Sequence, residues 1–485
     1  MQPEDIRELS EKHLCAGCIG EAYLRECVEN VNDEYECDYC GDIAPAISLE
    51  ELASRVEIAF NAHFTRTATE PNSWQYSMLK DKELDYDWER EGEQTIYAIM
   101  NAADIPEATA SDVQEILADE HSDFDAAAMG EECEFDSDAH YEEIMPGDGE
   151  WQESWHLFER TIKTEARFFS RTAAAQLGEL FDTIDEMRTR DGRPLIVDAG
   201  PDTKYLHLYR ARPFQNDGKL ELAMIRPDKE LGAPPSHIAN SGRMNARGIA
   251  VFYGATSVKT ALAEVRPPVG SKVAVARFDI IRPLKLLDLT ALGDVHENGS
   301  IFDPGYAYRL GRMMFLQKLS SRMARPVMPD DQESEYLPTQ AIADYLATEG
   351  KVPLDGIVFP SVQVNGAGLN VVLFHKAARC KEMEFPEGTE FDAQTYTSYE
   401  DGPEPDYVVI EEIPPEREKA EDNKPHRFFE FAAMPWPDLN NCDDREETLS
   451  VDPGSLKVHR VNAIEIDTTD FQVRRHRWIK NHAPF

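Results

Sequence analysis

The sequence predicts a multidomain α+β chain: a thiolate knuckle, a helical region, a strand-rich α/β region and an acidic tail. Three observations carry this. Two CxxC pairs stand close together near the N-terminus, at Cys15/Cys18 and Cys37/Cys40. Apolar residues then recur at helical spacing over much of 46–195. From about residue 196, short apolar runs of strand length replace them. The boundaries expected are 1–45, 46–195, 196–380 and 381–485. A chain of 485 residues has length for several domains.

Cys15-Ala-Gly-Cys18 and Cys37-Asp-Tyr-Cys40 are separated by 18 residues. That spacing fits a four-thiolate zinc site, each knuckle supplying two tetrahedral ligands. Zinc would hold a segment too small to build its own core. With four cysteines as ligands no position is left for catalysis, and Cys27 between the pairs is expected to be a spectator. In 46–190, Leu52, Val56, Ile58 and Ala59 begin an amphipathic pattern, and 95–103 and 111–117 read as short helices. Residues 118–150 are acid-rich and read as including a solvated loop. Trp155, Phe158, Glu159 and Ile162 share one side of a helix. Leu177, Leu180, Phe181 and Ile184 repeat at helical spacing in the next. The pair Phe168-Phe169 is expected in the core. Asp191-Gly192-Arg193-Pro194 ends the helical texture.

In the α/β region, 205–210 reads as a strand that places Arg210 on the side of Leu206 and Leu208. A charge on an apolar face requires a partner, because a buried unpaired charge is costly. The stretch 241–266 combines a loop with Gly242, Arg243, Asn245 and Gly248, an apolar strand at 249–253, and a helix that Ser257 caps. Ala261, Leu262 and Val265 share a helix face with Glu264 at its border. An arginine, Tyr253 and a carboxylate could thus converge on one cleft; an ordinary buried strand with an amphipathic helix is the alternative. Further strands are expected at 273–280, 284–289, 356–359 and 370–374, with a helix within 330–349. The tail opens with an acidic, Pro-rich stretch at 400–418 that reads as a linker. It closes with two strands, 456–466 and 471–478, expected to pair as a hairpin.

Composition narrows the function. With 92 acidic and 49 basic residues the formal charge is −43, which argues against nucleic-acid and anionic-membrane partners. A local arginine cluster holding one small anion remains compatible with it. There is no run of about 18 apolar residues, so no transmembrane helix is expected. The N-terminal MQPEDIRELSEKH does not read as a signal peptide. Eight cysteines in so long a chain do not make a secreted disulfide scaffold, so a cytoplasmic location is expected.

Four ordered blocks resemble the RES domain family: LYRAR at 208–212, GRMNARGIAVFYGATSVKTALAEVR at 242–266, YLPTQAIADYLA at 336–347 and GIVFPSVQ at 356–363. The front half, through LCAGCIGEAYL, YECDYCGD and WHLFERTIKTEARFF, resembles the HEPN/RES region of longer members. The resemblance implies an ADP-ribosyltransferase-like split sheet and an enzyme that destroys NAD, in many members a bacterial toxin restrained by a separate antitoxin. Carried onto this chain, Arg210, Glu264 and Ser361 match the family's arginine, glutamate and serine. Tyr253 matches the tyrosine before the glutamate, and Arg243 a second basic position. Small toxin members are mostly RES domain alone, unlike this chain. No Arg-and-His nuclease pair is seen in 46–190, so a HEPN-like domain here is expected to be structural.

These residue types suit NAD as a substrate. The planar fork of arginine matches the pyrophosphate, with Arg210 first and Arg243 second. Tyr253 can pack on nicotinamide and exclude water. Glu264 can stabilise oxocarbenium character at the ribose. Ser361 can hydrogen-bond phosphate or ribose. Gly242 and Gly248 do not fit a Rossmann fingerprint, because a strand and not a helix follows them. Several readings stay open: an Arg210–Glu264 ion pair with no catalysis, mono-ADP-ribosylation of a macromolecule, or a non-catalytic zinc-dependent interaction protein. The residues do not choose among water, phosphate and a macromolecule as the acceptor; an antitoxin or regulatory protein and a homo-oligomer are the partners considered.

Overall fold

An eight-stranded sheet organises the second half of the chain. In the computed structural model, which describes residues 3–81, 84–123, 125, 129–364, 368–415, 443–465 and 467–477, its order is Leu449–Arg460, Lys272–Ile280, His207–Phe214, Phe252–Ala255, Leu369–Leu373, Gly356–Pro360, Leu284–Asp288 and Ile196–Ala199. All neighbours are antiparallel except Leu284–Asp288 with Gly356–Pro360. A parallel pair needs a crossover, and this one is long. It contains the segment Ala291–Met323, which clusters with Met1–Leu195 as one compact unit, while Ile196–Thr290 and Ala324–Phe485 form the other. The uninterrupted 196–380 block expected from sequence is therefore corrected.

In the first unit, knuckle and helices share one core. Leu14, Cys15, Ile19 and Leu24 are buried with Leu52, Val56 and Ile116 in a single apolar cluster. Ser48 caps the helix Leu49–His63 by accepting from the Glu51 N–H. The region 46–195 is not wholly helical. A small sheet orders Phe64–Arg66, His140–Glu143 and Glu93–Gln94, and it draws part of the expected acidic loop into structure. Tyr141 is the reason: its ring packs 5.2 Å from Phe60 and 5.5 Å from Phe135. Helices Gly149–Arg160 and Arg171–Leu180 bury Trp155, Phe158, Leu177 and Leu180 as their periodicity predicts. The helix Tyr306–Ala324 adds Phe315 against Trp155, and its buried Arg312 donates to the carbonyls of Leu180 and Asp182. Phe168 and Phe169 lie outside the core, 90% and 96% exposed. They fall between the helical turn Thr161–Glu165 and the helix Arg171–Leu180, where no core-facing period constrains them.

In the second unit Phe252 and Phe278 meet edge to face at 4.9 Å across the intervening strand His207–Phe214, among buried aliphatic partners. Three expectations shift. The strand expected at 249–253 runs Phe252–Ala255, because the backbone of 248–249 is engaged in turns with Ala239 and Ala246. The acidic stretch expected as a linker contains the strand Gly402–Glu412, which forms a hairpin with Glu390–Tyr399; residues 416–418 lie outside the described set. The late hairpin is not formed: Leu449–Arg460 joins the large sheet beside Lys272–Ile280, and 471–477 is not strand. The last residue of that expected strand, Trp478, lies outside the described residues.

The register shows how this strand starts seven residues before the expected 456–466 and ends earlier, at Arg460. Asp452 pairs with Arg277 but Lys457 with Val275, so Pro453, Gly454, Ser455 and Leu456 form a bulge. The Gly454 N–H bonds the Asp452 side chain at 3.0 Å, and Ser455 Oγ accepts the Arg277 N–H at 2.8 Å. No described helix is long and apolar enough to cross a membrane.

Candidate functional site

A cleft of about 490 Å³ lies in the second unit, a volume in the range of small-ligand sites. Its origin is a weak seam in the sheet. His207–Phe214 and Phe252–Ala255 share a single register pair, Ala255 with Tyr209. Tyr209 and Arg210 line the cleft from one strand, Tyr253 and Gly254 from the other.

Arg210 sits opposite Ala276 in the sheet, with its guanidinium 4.9 Å from the centre of the Phe252 ring. Its Nη1 is buried and has no hydrogen-bond partner. Burial, with the nearby Arg212, pushes its pKa down to about 10, which still leaves it charged at neutral pH. Among the described residues it forms no ion pair with Glu264, so the two charges do not simply cancel each other. A desolvated cation without a counter-charge is costly, and an anion entering the cleft would offset that cost.

Tyr253 is fixed rather than mobile. Its hydroxyl donates to Asn245 Oδ1 and accepts the Met244 N–H, both at 3.0 Å, and burial pushes its pKa up to about 12. Gly242 makes this possible, because a Cβ there would lie 2.8 Å from the tyrosine oxygen and 2.5 Å from Asn245 Oδ1. The loop is tied to the helix Leu337–Thr348. Gln340 Nε2 donates to Ser241 Oγ at 3.0 Å and to the Gly242 carbonyl at 2.8 Å, and Thr339 Oγ1 donates to the Arg243 carbonyl at 2.6 Å. The Arg243 guanidinium lies 5.9 Å from the Tyr336 ring centre and lines the cleft. Arg266 lines it as well, held at a left-handed φ of 42°.

Glu264 ends the helix Val258–Glu264, which Ser257 caps by accepting the Thr260 N–H at 3.2 Å. The helix approaches the strand end closely because Gly368 lacks a Cβ, which would lie 2.2 Å from Thr260 Oγ1. Ser361 Oγ and Asn370 Nδ2 both donate to Glu264 Oε1, the latter at 2.7 Å. Glu264 Oε2 has no partner among the described residues.

The structure thus brings Arg210, Arg243, Tyr253 and Glu264 to one cleft. It places Ser361 differently from the expectation of a ligand contact. Ser361 is fully buried behind the carboxylate and does not line the cleft, so its hydroxyl orients Glu264. Asn370, 5% exposed, does the same from the central strand Leu369–Leu373. Sequence reasoning passed over it. The signal was a lone amide within an otherwise apolar strand, where burial demands a hydrogen-bond partner.

The four knuckle cysteines form a separate cluster in the first unit. Their sulfurs all lie within 4.8 Å of one another, with Cys15–Cys18 at 3.7 Å, Cys15–Cys40 at 3.6 Å and Cys18–Cys37 at 3.9 Å. A tetrahedral zinc–thiolate site with bonds of about 2.3 Å has sulfur–sulfur edges of about 3.8 Å. The donor set and spacing fit such an ion, and Cys27 is not part of the cluster.

The RES domain family model matches residues 208–395. No curated protein and no solved structure matches the chain significantly.

Proposed function

We propose that the RES domain within residues 208–395 consumes NAD by breaking the bond between nicotinamide N1 and ribose C1′. The observation that carries this is the pairing, in one cleft, of an unpartnered guanidinium at Arg210 with a carboxylate at Glu264 that neighbours hold in place. The first suits a pyrophosphate and the second a developing oxocarbenium ion. In this reading the cleft belongs to an ADP-ribosyltransferase-like split sheet, opened at the single-pair seam.

The chemistry then follows from charge. Arg210 and Arg243 hold the pyrophosphate, and Tyr253 covers the nicotinamide. The N1–C1′ bond breaks with its electron pair moving to the pyridinium nitrogen, so nicotinamide leaves neutral and needs no general acid. Glu264 Oε2 faces the positive charge that builds on the ribose. Water then attacks C1′ and loses a proton, giving ADP-ribose; inorganic phosphate in its place gives the 1-phosphate. In the first unit Cys15, Cys18, Cys37 and Cys40 would hold zinc, whose role there is structural and organises a HEPN-like module. An activity that depletes NAD calls for restraint by an antitoxin or regulatory protein.

The test is incubation of the purified chain with NAD, with and without phosphate, following free nicotinamide by chromatography. Nicotinamide appearing in step with NAD loss is expected, and NAD that remains intact in both conditions contradicts the proposal.

Two variants probe the parts. Asn370→Leu removes one of two donors to Glu264 and is expected to lower kcat about tenfold with little change in KM, since one such bond contributes roughly 1.5 kcal/mol. Steady-state kinetics checks this. Arg210→Lys is expected to raise KM increasingly from about pH 7 to about pH 9, because lysine starts about two units below arginine and the same burial lowers it further. The wild-type KM should stay flat over that range, as its buried arginine remains charged.

A further inference from the structure

A second and larger cavity, about 1000 Å³, lies in the first unit and has no part in the chemistry above. Its apolar surface comes from Met145, Met313, Met314, Leu310 and Tyr306. Methionine surfaces are polarisable and adapt to flat or irregular ligands. One polar side chain on its wall is unsatisfied. His63 is 2% exposed, its Nε2 has no hydrogen-bond partner, and its ring stacks at 5.7 Å on that of Tyr306. Burial holds the imidazole pKa below its ordinary value, against the pull of nearby Glu143.

The charge on the walls has a sign. Four carboxylates line the cavity, Glu143, Asp191, Asp294 and Glu297, against the single cation Arg190. Neighbouring arginines answer two of them: Arg309 lies 3.0 Å from Glu297 and Arg193 lies 3.8 Å from Asp294. Asp191 accepts from Thr189 Oγ1. Glu143 forms no ion pair among the described residues. Even with Arg193 and Arg309 set against their partners, Glu143 and Asp191 outnumber Arg190. A cavity of this kind repels phosphates and carboxylates and attracts a cation.

We propose that this cavity binds an organic ammonium carrying a flat apolar group, with the ring against Tyr306 and the methionines and the ammonium N–H groups meeting Glu143 and the unpartnered His63. The ammonium answers the excess carboxylate and the orphaned imidazole together. The proposal does not depend on the reading of the NAD cleft.

The test uses the full chain without NAD and two probes of the same ring and opposite charge, tryptamine and indole-3-propionate, by saturation-transfer difference NMR at millimolar concentration. Saturation of the indole protons of tryptamine and not of indole-3-propionate is expected. Glu143→Arg reverses the open carboxylate and Met314→Trp fills the cavity, and each should abolish the tryptamine signal while melting like the wild type. Should one variant fail to fold, the other decides. Equal saturation of the two probes, no tryptamine signal in the wild type, or an undiminished signal in a folded variant would overturn the proposal.

Discussion

Replacing Glu264 with glutamine is expected to lower the rate of nicotinamide release by about a hundredfold to a thousandfold, the loss seen when one preorganised electrostatic contact to a transition state is removed. Glutamine keeps the shape. Its carbonyl oxygen can still accept from Ser361 and Asn370, which hold Oε1 in the native site. The change falls on the other arm, where a neutral amide replaces the charged Oε2. The ground state of NAD carries its positive charge on the nicotinamide, and the ribose gains it only as the bond breaks. The loss should therefore appear in kcat with KM altered no more than about twofold. A melting temperature equal to the wild type would place the effect in chemistry and not in folding. Undiminished release by the variant would remove Glu264 from the mechanism.

Removing the metal from the knuckle is expected to unfold much of the first unit. Structural zinc in small knuckles contributes roughly 10–16 kcal/mol of apparent binding free energy, comparable to the entire stability of a typical domain, about 5–15 kcal/mol. The knuckle is not an appendage here, since Cys15 and Cys37 are buried in the same cluster as Leu24, Leu52 and Ile116. Its release would open that core to water. Cys37→Ser, or a strong chelator, should abolish the cooperative melt of the first unit and much of its helical circular dichroism. Cys27→Ser, outside the cluster, should change neither. Elemental analysis should return one zinc per chain, and a metal-free protein with an unaltered melt would contradict the assignment.

What was legible in the sequence followed from local chemistry. The thiolate cluster could be read because a tetrahedral site imposes ligand type and spacing together. The strands around Arg210 and Tyr253 and the helix bearing Glu264 announced themselves through apolar runs and a serine cap. The region matched by the RES domain model contains all four of the blocks that resembled that family. What stayed hidden depended on distant neighbours. Asn370 looks like any strand residue until the helix that ends at Glu264 is laid against it. Ser361 looked like a ligand contact because nothing in its own segment shows that it is covered. The start of the strand Leu449–Arg460 was hidden because Pro453-Gly454 reads as a break, which placed the expected strand seven residues late, whereas the sheet absorbs both as a bulge. The hairpin Glu390–Tyr399 with Gly402–Glu412 was masked by acidic residues on its exposed edges, although Tyr407 and Val409 pack on the core. That 291–323 leaves the second unit for the first is a matter of which core its apolar face fits, and local periodicity carries no such information.

Arg210 and Glu264 are proposed to share one substrate. A crystal structure of Glu264→Gln soaked with NAD tests it most directly, because the slowed variant should hold the dinucleotide intact. Pyrophosphate oxygens are expected within hydrogen-bonding distance of Arg210 Nη1, with the nicotinamide-bearing ribose beside residue 264. NAD bound elsewhere, or bound in the cleft with its pyrophosphate away from Arg210, would contradict it.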